Sequence, residues 1–303
     1  MSIFAELRKN KYLRAMYGRI RIRYFELLTI ISPELNTKCR YREKFGRWPD
    51  MDAPKTLEEK LIWLKLKRYM KDPLVIECAD KVRARDYIQR CGLKQILINV
   101  YGIYEEVDEI PWDDLPNQFV LKWNFGAGFN LICKDKQALD ISAAKKKLKT
   151  WGKEKCWLPY AEMQYKYAPK RIICEELLQD ESIKCSIPDY KVYCFHGEPM
   201  AVLVMHDRGR EIKTEFFDKD WKRLENTAKY KTVVQVTEKP ACIDEMMRTA
   251  RILSQPFPFV RCDFYVLKNK LYFGEMTFTP AGGIHLSQTT IEGKEMSDYL
   301  NVP

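Results

Sequence analysis

Histidine is scarce in this sequence: His196, His206 and His285 are the only three in 303 residues, each ten or more positions from the next. No pair has the spacing of a zinc motif, which excludes a structural zinc site as an organising element. Cysteine is plentiful at ten, yet it never falls as C-x-x-C, and several thiols sit inside apolar runs such as "LICKD" and "RIICEELL". That pattern reads as reduced, mostly buried thiols, not as a disulfide framework. No stretch approaches the roughly eighteen uncharged apolar residues of a membrane span, and "MSIFAELRKNKYLRAMYG" lacks the unbroken apolar core of a secretory signal. A cytoplasmic protein is expected. A G-x-G-x-x-G opening a helix is also absent, and the Asp-x-Asp "DMD" at 50–52 lies in a Pro-flanked loop. The missing glycine motif disfavours a Rossmann nucleotide fold, and the lack of a parallel α/β start disfavours a nucleotide-sugar glycosyltransferase. Internal repeats and low-complexity tracts are missing too.

What is present is a chain long enough for a substantial core, 46% hydrophobic and 13% aromatic, which fits two or three compact lobes. Its net charge of +10 is unevenly placed. Residues 1–23 hold Arg8, Lys9, Lys11, Arg14, Arg19, Arg21 and Arg23 against Glu6 alone. In the same region Leu7, Leu13, Met16, Tyr17, Ile20, Tyr24, Leu27, Leu28 and Ile31 recur at threes and fours, predicting one or two amphipathic helices that end at "SPELN". Such a helix suits an anionic membrane surface or nucleic acid, or it packs on the body by its apolar face with the basic face in water.

Further along, Thr56 and Glu59 form a capping box that opens a helix in "TLEEKLIWLKLKRYM". "DPLVIECADKVRARDYIQRCG" predicts a short apolar run and a helix closed by Gly92, and "ILINVYGIYEEVDEI" a strand and turn. "NQFVLKWNFGAGFNLICKD" reads as a hairpin whose Gly126 and Gly128 let the backbone approach a ligand. A lysine-rich helix at "ISAAKKKLKTWG", the run "RIICEELL", strands "DYKVYCFHG" and "PMAVLVMHD", and a helix at "IDEMMRTARILSQ" follow.

The chemistry concentrates in "VRCDFYVLKNKLYFGEMTFTPAGG", where Asp263 and Glu275 lie on two strand-like runs joined by a "KNK" turn. A hairpin brings the carboxylates to neighbouring strands, where they repel unless a cation lies between them. Hard oxygen ligands on a rigid sheet suit Mg²⁺, which keeps several waters and commonly bridges to phosphates. Arg261 precedes Asp263 by two residues and so shares its face, while Lys122 and Lys191 sit singly on predicted strands. Cations and a metal converging in this way point to a triphosphate. The bland alternative is a pair of solvated charges on an exposed sheet.

In this order of parts the sequence resembles the ATP-grasp superfamily, and more narrowly its TupA-like branch, named for teichuronopeptide biosynthesis and often encoded beside surface-polysaccharide genes. The likeness runs from "PKTLEEKLIWLKL" to "GEMTFTPAGG". It implies an α+β fold in which two α+β subdomains clasp ATP behind a helical N-terminal extension. The expected boundaries are 1–50 for that extension, 51–117 for an N-terminal α/β region, 118–178 for the small subdomain and 179–303 for the catalytic subdomain. The resemblance assigns Lys81, Lys122 and Lys191 to the nucleotide phosphates and Gly126 and Gly128 to a flap. Glu175, Glu176, Leu177 and Leu178 form the linker along adenine, and Asp189 reaches the ribose. Arg261 meets the acyl phosphate as it forms, Asp263 and Glu275 hold Mg²⁺, and Gly282 and Gly283 present backbone amides to the reacting carboxylate. Many relatives carry asparagine two residues after the distal glutamate; here Thr277 stands there, its hydroxyl suited to Mg²⁺ or a metal-bound water.

The implied activity is ATP-dependent ligation of a carboxylate to an amine through an acyl phosphate, with release of ADP and phosphate. The substrates implied are a uronic-acid carboxyl of a surface polysaccharide, such as a capsule, or of its precursor, and an amino acid or simple amine. A glycosyltransferase or a sugar kinase of polysaccharide biosynthesis is the alternative. A non-catalytic nucleic-acid binder leaves the Arg-x-Asp hairpin unexplained, so no nucleic acid is expected. The basic segment 1–23 suggests peripheral contact with the inner face of an anionic membrane.

Overall fold

Two antiparallel sheets carry the fold, each with its own apolar core. The computed structural model describes residues 11–179, 187–206, 212–225, 231–232, 237–284, 286 and 288–303. His285 and the first ten residues, with Glu6, Leu7, Arg8 and Lys9, lie outside the described residues.

The smaller sheet orders its strands β1-β4-β2-β3, from Val100–Tyr104 (β1), Phe119–Trp123 (β2), Asn130–Cys133 (β3) and Ile172–Glu175 (β4). Its edge strand β1 comes from ahead of the expected boundary at 118. The helix Ile141–Gly152, opened by Asp140 accepting from Ala143 N–H, packs Ala144 and Leu148 onto Phe119, Leu121 and Trp123. The larger sheet runs β11-β10-β5-β6-β7-β8, from Asp189–Phe195 (β5), Glu198–His206 (β6), Lys213–Asp218 (β7), Arg223–Leu224 (β8), Phe259–Leu267 (β10) and Lys270–Thr277 (β11). Lys231–Thr232 (β9) adds a short parallel pairing to β7. β5 is buried along its whole length, as a central strand covered on both faces must be. His196 and Gly197, at φ 48° and 84°, make the tight β5–β6 turn. The helix Ile243–Ser254 covers one face of this sheet, and Leu57, Leu61, Leu64, Val75 and Ile88 join the same core from the N-terminal side. The architecture is α+β, with two α+β lobes.

The capping box holds: Thr56 accepts from Glu59 N–H at 3.2 Å while the Glu59 carboxylate accepts from Thr56 N–H at 3.1 Å, opening the helix Leu57–Lys67. The N-terminal helix Lys11–Ile31 ends at "SPEL" as expected, and the same residues start the next helix: Ser32 caps Pro33–Phe45, because a Ser-Pro pair supplies both the cap and the N1 proline. One local expectation is corrected: the run "PLVIECA" is a helix, Pro73–Ala79, since the Asp72 carboxylate accepts from Leu74 and Val75 N–H at its start. The nine described cysteines are free thiols, six of them buried.

The two N-terminal helices attach through a buried polar spine. Thr29 donates to Leu158 O at 2.6 Å, and Asn36 donates to Phe25 O and to Thr29 Oγ1, both at 2.6 Å. Arg40 donates to Pro159 O at 2.6 Å with its guanidinium between the rings of Phe25 and Tyr160, 3.8 and 4.1 Å from their centroids. Burial lowers that guanidinium to about 10, and the two ring faces partly offset the cost.

Candidate active site

Strand register decides which side chains meet. In β10, Asp263 pairs with Lys191 of β5 on one side and with Glu275 of β11 on the other, while Arg261 pairs with Thr277. These five residues therefore lie on one face of three adjacent strands. The β10–β11 turn is the two residues Lys268 and Asn269, at φ 51° and 59°, not the three of "KNK". A two-residue turn continued in strict register sets Asp263 opposite Gly274 and turns Glu275 to the other face. A bulge between Asp263 and Phe264 takes up one residue of β11 and restores the Asp263–Glu275 pair. Gly274 permits it, because a Cβ there would lie 2.9 Å from Asp263 O.

The charges interlock on this face. Arg261 donates to both Asp263 oxygens at 2.6 Å, and Lys191 Nζ lies 2.5 Å from Asp263 Oδ2. Arg261 also donates to Thr277 Oγ1, which donates to Glu275 Oε1, each at 3.1 Å. Burial alone would raise the Asp263 carboxyl, but Arg261 and Lys191 outweigh it and hold the group below its ordinary range. Glu275 is likewise held low, chiefly by Lys81 against the cost of burial.

The opposing wall comes from the smaller sheet with its glycine loop and from Lys81, in the segment between two helices packed on the larger sheet's core. Lys81 Nζ donates to Gly126 O at 2.7 Å and stands 4.0 Å from Glu275 Oε2. Its backbone N–H donates to Asn124 O, and Asn124 in turn donates to Asp80 Oδ2 and to Pro169 O, both at 2.7 Å, so the buried Asp80–Asn124 pair fixes Lys81 beside the glycine loop. Lys122 pairs with Glu175 Oε2 at 2.6 Å, and Arg85 reaches the other oxygen at 3.3 Å. Gly126 and Gly128 take φ 61° and 87°, a conformation that favours glycine. One cleft is lined by Lys81, Lys122, Gly126, Gly128, Asp189, Lys191, Asp263 and Glu275. Glu176 donates its N–H to Asn99 O, and Leu177 and Leu178 continue the extended segment after β4.

Gly282 and Gly283 stand apart from that lining, in the turn Pro280–Gly283, both at positive φ. A Cβ on Gly282 would meet Tyr160 Cδ1 at 2.5 Å. Lys65, buried in the helix Leu57–Lys67, donates to Tyr160 O at 2.9 Å and to Gly282 O at 3.2 Å, while Thr279 donates to Glu162 Oε1 at 2.7 Å. Burial pushes the Lys65 ammonium down and the Glu162 carboxyl up. Sequence reasoning missed this group and the Asp80–Asn124 latch. A lysine at a core-facing position of "LIWLKLK" was the available signal for the first; the second pairs residues from separate elements and left none.

The donor set suits Mg²⁺: two carboxylates paired across strands with a hydroxyl beside them, flanked by cations for phosphate oxygens. Among the described residues no group of three His, Cys, Asp or Glu gathers, so a metal here would complete its shell with water and substrate oxygens.

A sheet of this kind, closed over by a smaller lobe with a glycine-bearing hairpin, defines an ATP-grasp protein. The TupA-like ATPgrasp family matches residues 59–298, and the chain belongs to that family. Among solved structures it is similar to the L-amino acid ligase from Bacillus licheniformis, at 12% identity and TM-score 0.47, over 85% of this chain and 58% of that one. It is also similar to the ATP complex of D-alanine–D-alanine ligase from Bacillus anthracis, at 14% identity and TM-score 0.40, over 67% of this chain and 55% of the other. The chain thus spans little more than half the length of these structures. A comparison with curated proteins finds no match.

Proposed function

We propose that this protein is an ATP-dependent carboxylate–amine ligase that forms an amide and releases ADP and phosphate. The observation that carries the reading is the convergence of Lys191, Arg261, Asp263 and Glu275 on one sheet face, with Lys81, Lys122 and the Gly126–Gly128 loop facing them across a cleft. A substrate carboxylate oxygen attacks the γ-phosphorus, the bond to the β-phosphate oxygen breaks, and ADP leaves an acyl phosphate. An amine then attacks the acyl carbon; phosphate departs and the nitrogen gives up a proton.

Lys81, Lys122 and Lys191 neutralise the phosphates, and Arg261 holds the charge that grows on the transferred group. Asp263 and Glu275, with Thr277 beside them, would hold Mg²⁺, which when bound neutralises phosphate charge. The segment Glu175–Leu178 offers its backbone to adenine, and Asp189 faces the ribose. Gly282 and Gly283 present amides to the reacting carboxylate. No covalent protein nucleophile is needed; closing the glycine loop keeps water from the acyl phosphate.

The family's association with surface polysaccharides supports a uronic-acid carboxyl of a glycan or its precursor as acceptor, joined to an amino acid or simple amine. ATP as co-substrate sets the reaction in the cytoplasm. The predominantly antiparallel large sheet weighs against the parallel start of a nucleotide-sugar glycosyltransferase. Screening ADP formation across uronates and amines tests the reading. Release of ADP and phosphate that depends on both partners is expected. Stoichiometric AMP and pyrophosphate would sink it in favour of an adenylating enzyme, and ADP formed with a sugar alone would favour a kinase.

A further inference from the structure

The helix Lys11–Ile31 turns its apolar residues to solvent. Among the described residues of the stripe read from sequence, only Leu28 is buried; the helix docks on the body through Phe25, Leu28 and Thr29. Ile20 and Leu27 are each 60% exposed, Ile30 65% and Ile31 73%. Met16, Tyr17 and Tyr24 are between 46% and 53% exposed. At 3.6 residues per turn these seven fall within an arc of roughly 140°, a band along a helix about 31 Å long. Exposed apolar surface of this extent marks a contact site.

Charge indicates what covers it. Arg23 lies inside the band near one edge and Arg19 just beyond that edge, both exposed, with Glu26 paired to Arg23; Arg21, beyond the other edge, is engaged by Glu43. A second copy packed on this band about a two-fold axis would bring Arg19 and Arg23 against their own kind. An anionic lipid surface instead meets the cations with opposite charge and takes up the apolar band and its tyrosines at headgroup depth. Among the described residues no helix is long and apolar enough to cross a membrane, so the contact is one of lying flat. The buried Thr29, Asn36 and Arg40 contacts fasten this helix pair to the body, and Tyr160, stacked on Arg40, abuts the Gly282 turn.

We infer that the exposed band over residues 16–31 is a docking surface for anionic phospholipid, which would hold the protein on the membrane. The test is sedimentation of the full-length protein with vesicles of phosphatidylglycerol and phosphatidylcholine, beside vesicles of phosphatidylcholine alone. Binding only to the anionic vesicles, weakening as salt rises, is expected. Ile20→Glu with Leu27→Glu should weaken it about tenfold or more without changing the melting curve, since both side chains already face water. Arg19→Glu with Arg23→Glu should weaken it also and flatten the salt dependence, an independent readout should the first variant misfold. Binding by both variants equal to that of the parent overturns the inference. So does a protein that ignores both vesicles and sediments as a dimer that Ile20→Glu dissociates; a second copy then covers the band.

Discussion

Glu275→Gln is expected to lower ATP turnover about a thousandfold while leaving the melting curve close to that of the parent protein. The side chain is 37% exposed, and its partners Thr277 and Lys81 keep other contacts, so what is lost is an anionic oxygen of the proposed metal site. Asp263→Asn should lose as much activity and stability besides. Its carboxylate is almost fully buried between Arg261 and Lys191, and neutralising it takes the paired anion from buried Lys191 and leaves Arg261 with Glu275 at 3.8 Å, at a cost of about 3–5 kcal/mol. Steady-state ATP consumption beside calorimetric melting separates the two effects. Near-parental turnover by the glutamine variant would contradict the metal platform, and an unshifted melt for the asparagine variant would contradict the buried ion triad.

A larger structural disturbance is expected from a smaller chemical change. Gly274→Ala adds one methyl group, 2.9 Å from the backbone oxygen of Asp263 and 3.2 Å from the Tyr265 ring. Backbone cannot step aside as a side chain does, so either the bulge straightens or β11 moves away from β10. In both cases Glu275 leaves its place opposite Asp263. Turnover should fall about a hundredfold, as it does when a reacting group shifts by about an ångström, with a stability loss of about 1–3 kcal/mol. Kinetics and melting of the variant check this; parental activity would show that the bulge is not what brings the carboxylates together.

That glycine also shows how far the sequence could be read. Lone lysines on apolar strands, an arginine two residues before an aspartate and a distal glutamate are legible because strand periodicity fixes which residues share a face. Counting the turn as "KNK" pairs position 263 with 275 directly; the protein arrives at the same pair by a two-residue turn and a bulge. Bulges follow from contacts between strands and leave only a faint mark, a glycine inside an apolar run. The capping box at Thr56 was readable because its partners are three residues apart, and the Ser32 cap was missed because a helix stop and a helix start use the same residue types. The N-terminal stripe was readable as a helix but not as to which side faces inward. Its docking rests on Thr29, Asn36 and Arg40 meeting carbonyls of Leu158 and Pro159, more than a hundred positions away. Of the Lys65–Glu162–Thr279 group only the core-facing lysine left a mark, and its partners are hidden for the same reason: three elements contribute one residue each.

The proposed ligation turns on a carboxylate oxygen attacking the γ-phosphorus of ATP. Once the screen of uronates and amines has found a pair that drives ADP formation, the acid should be supplied with both carboxylate oxygens as oxygen-18 and the released nucleotide and phosphate analysed by mass spectrometry. One labelled oxygen in the inorganic phosphate, none in the nucleotide, and an amide retaining the other label is the predicted result. Label in AMP, or phosphate wholly free of label while the amide forms, would contradict it.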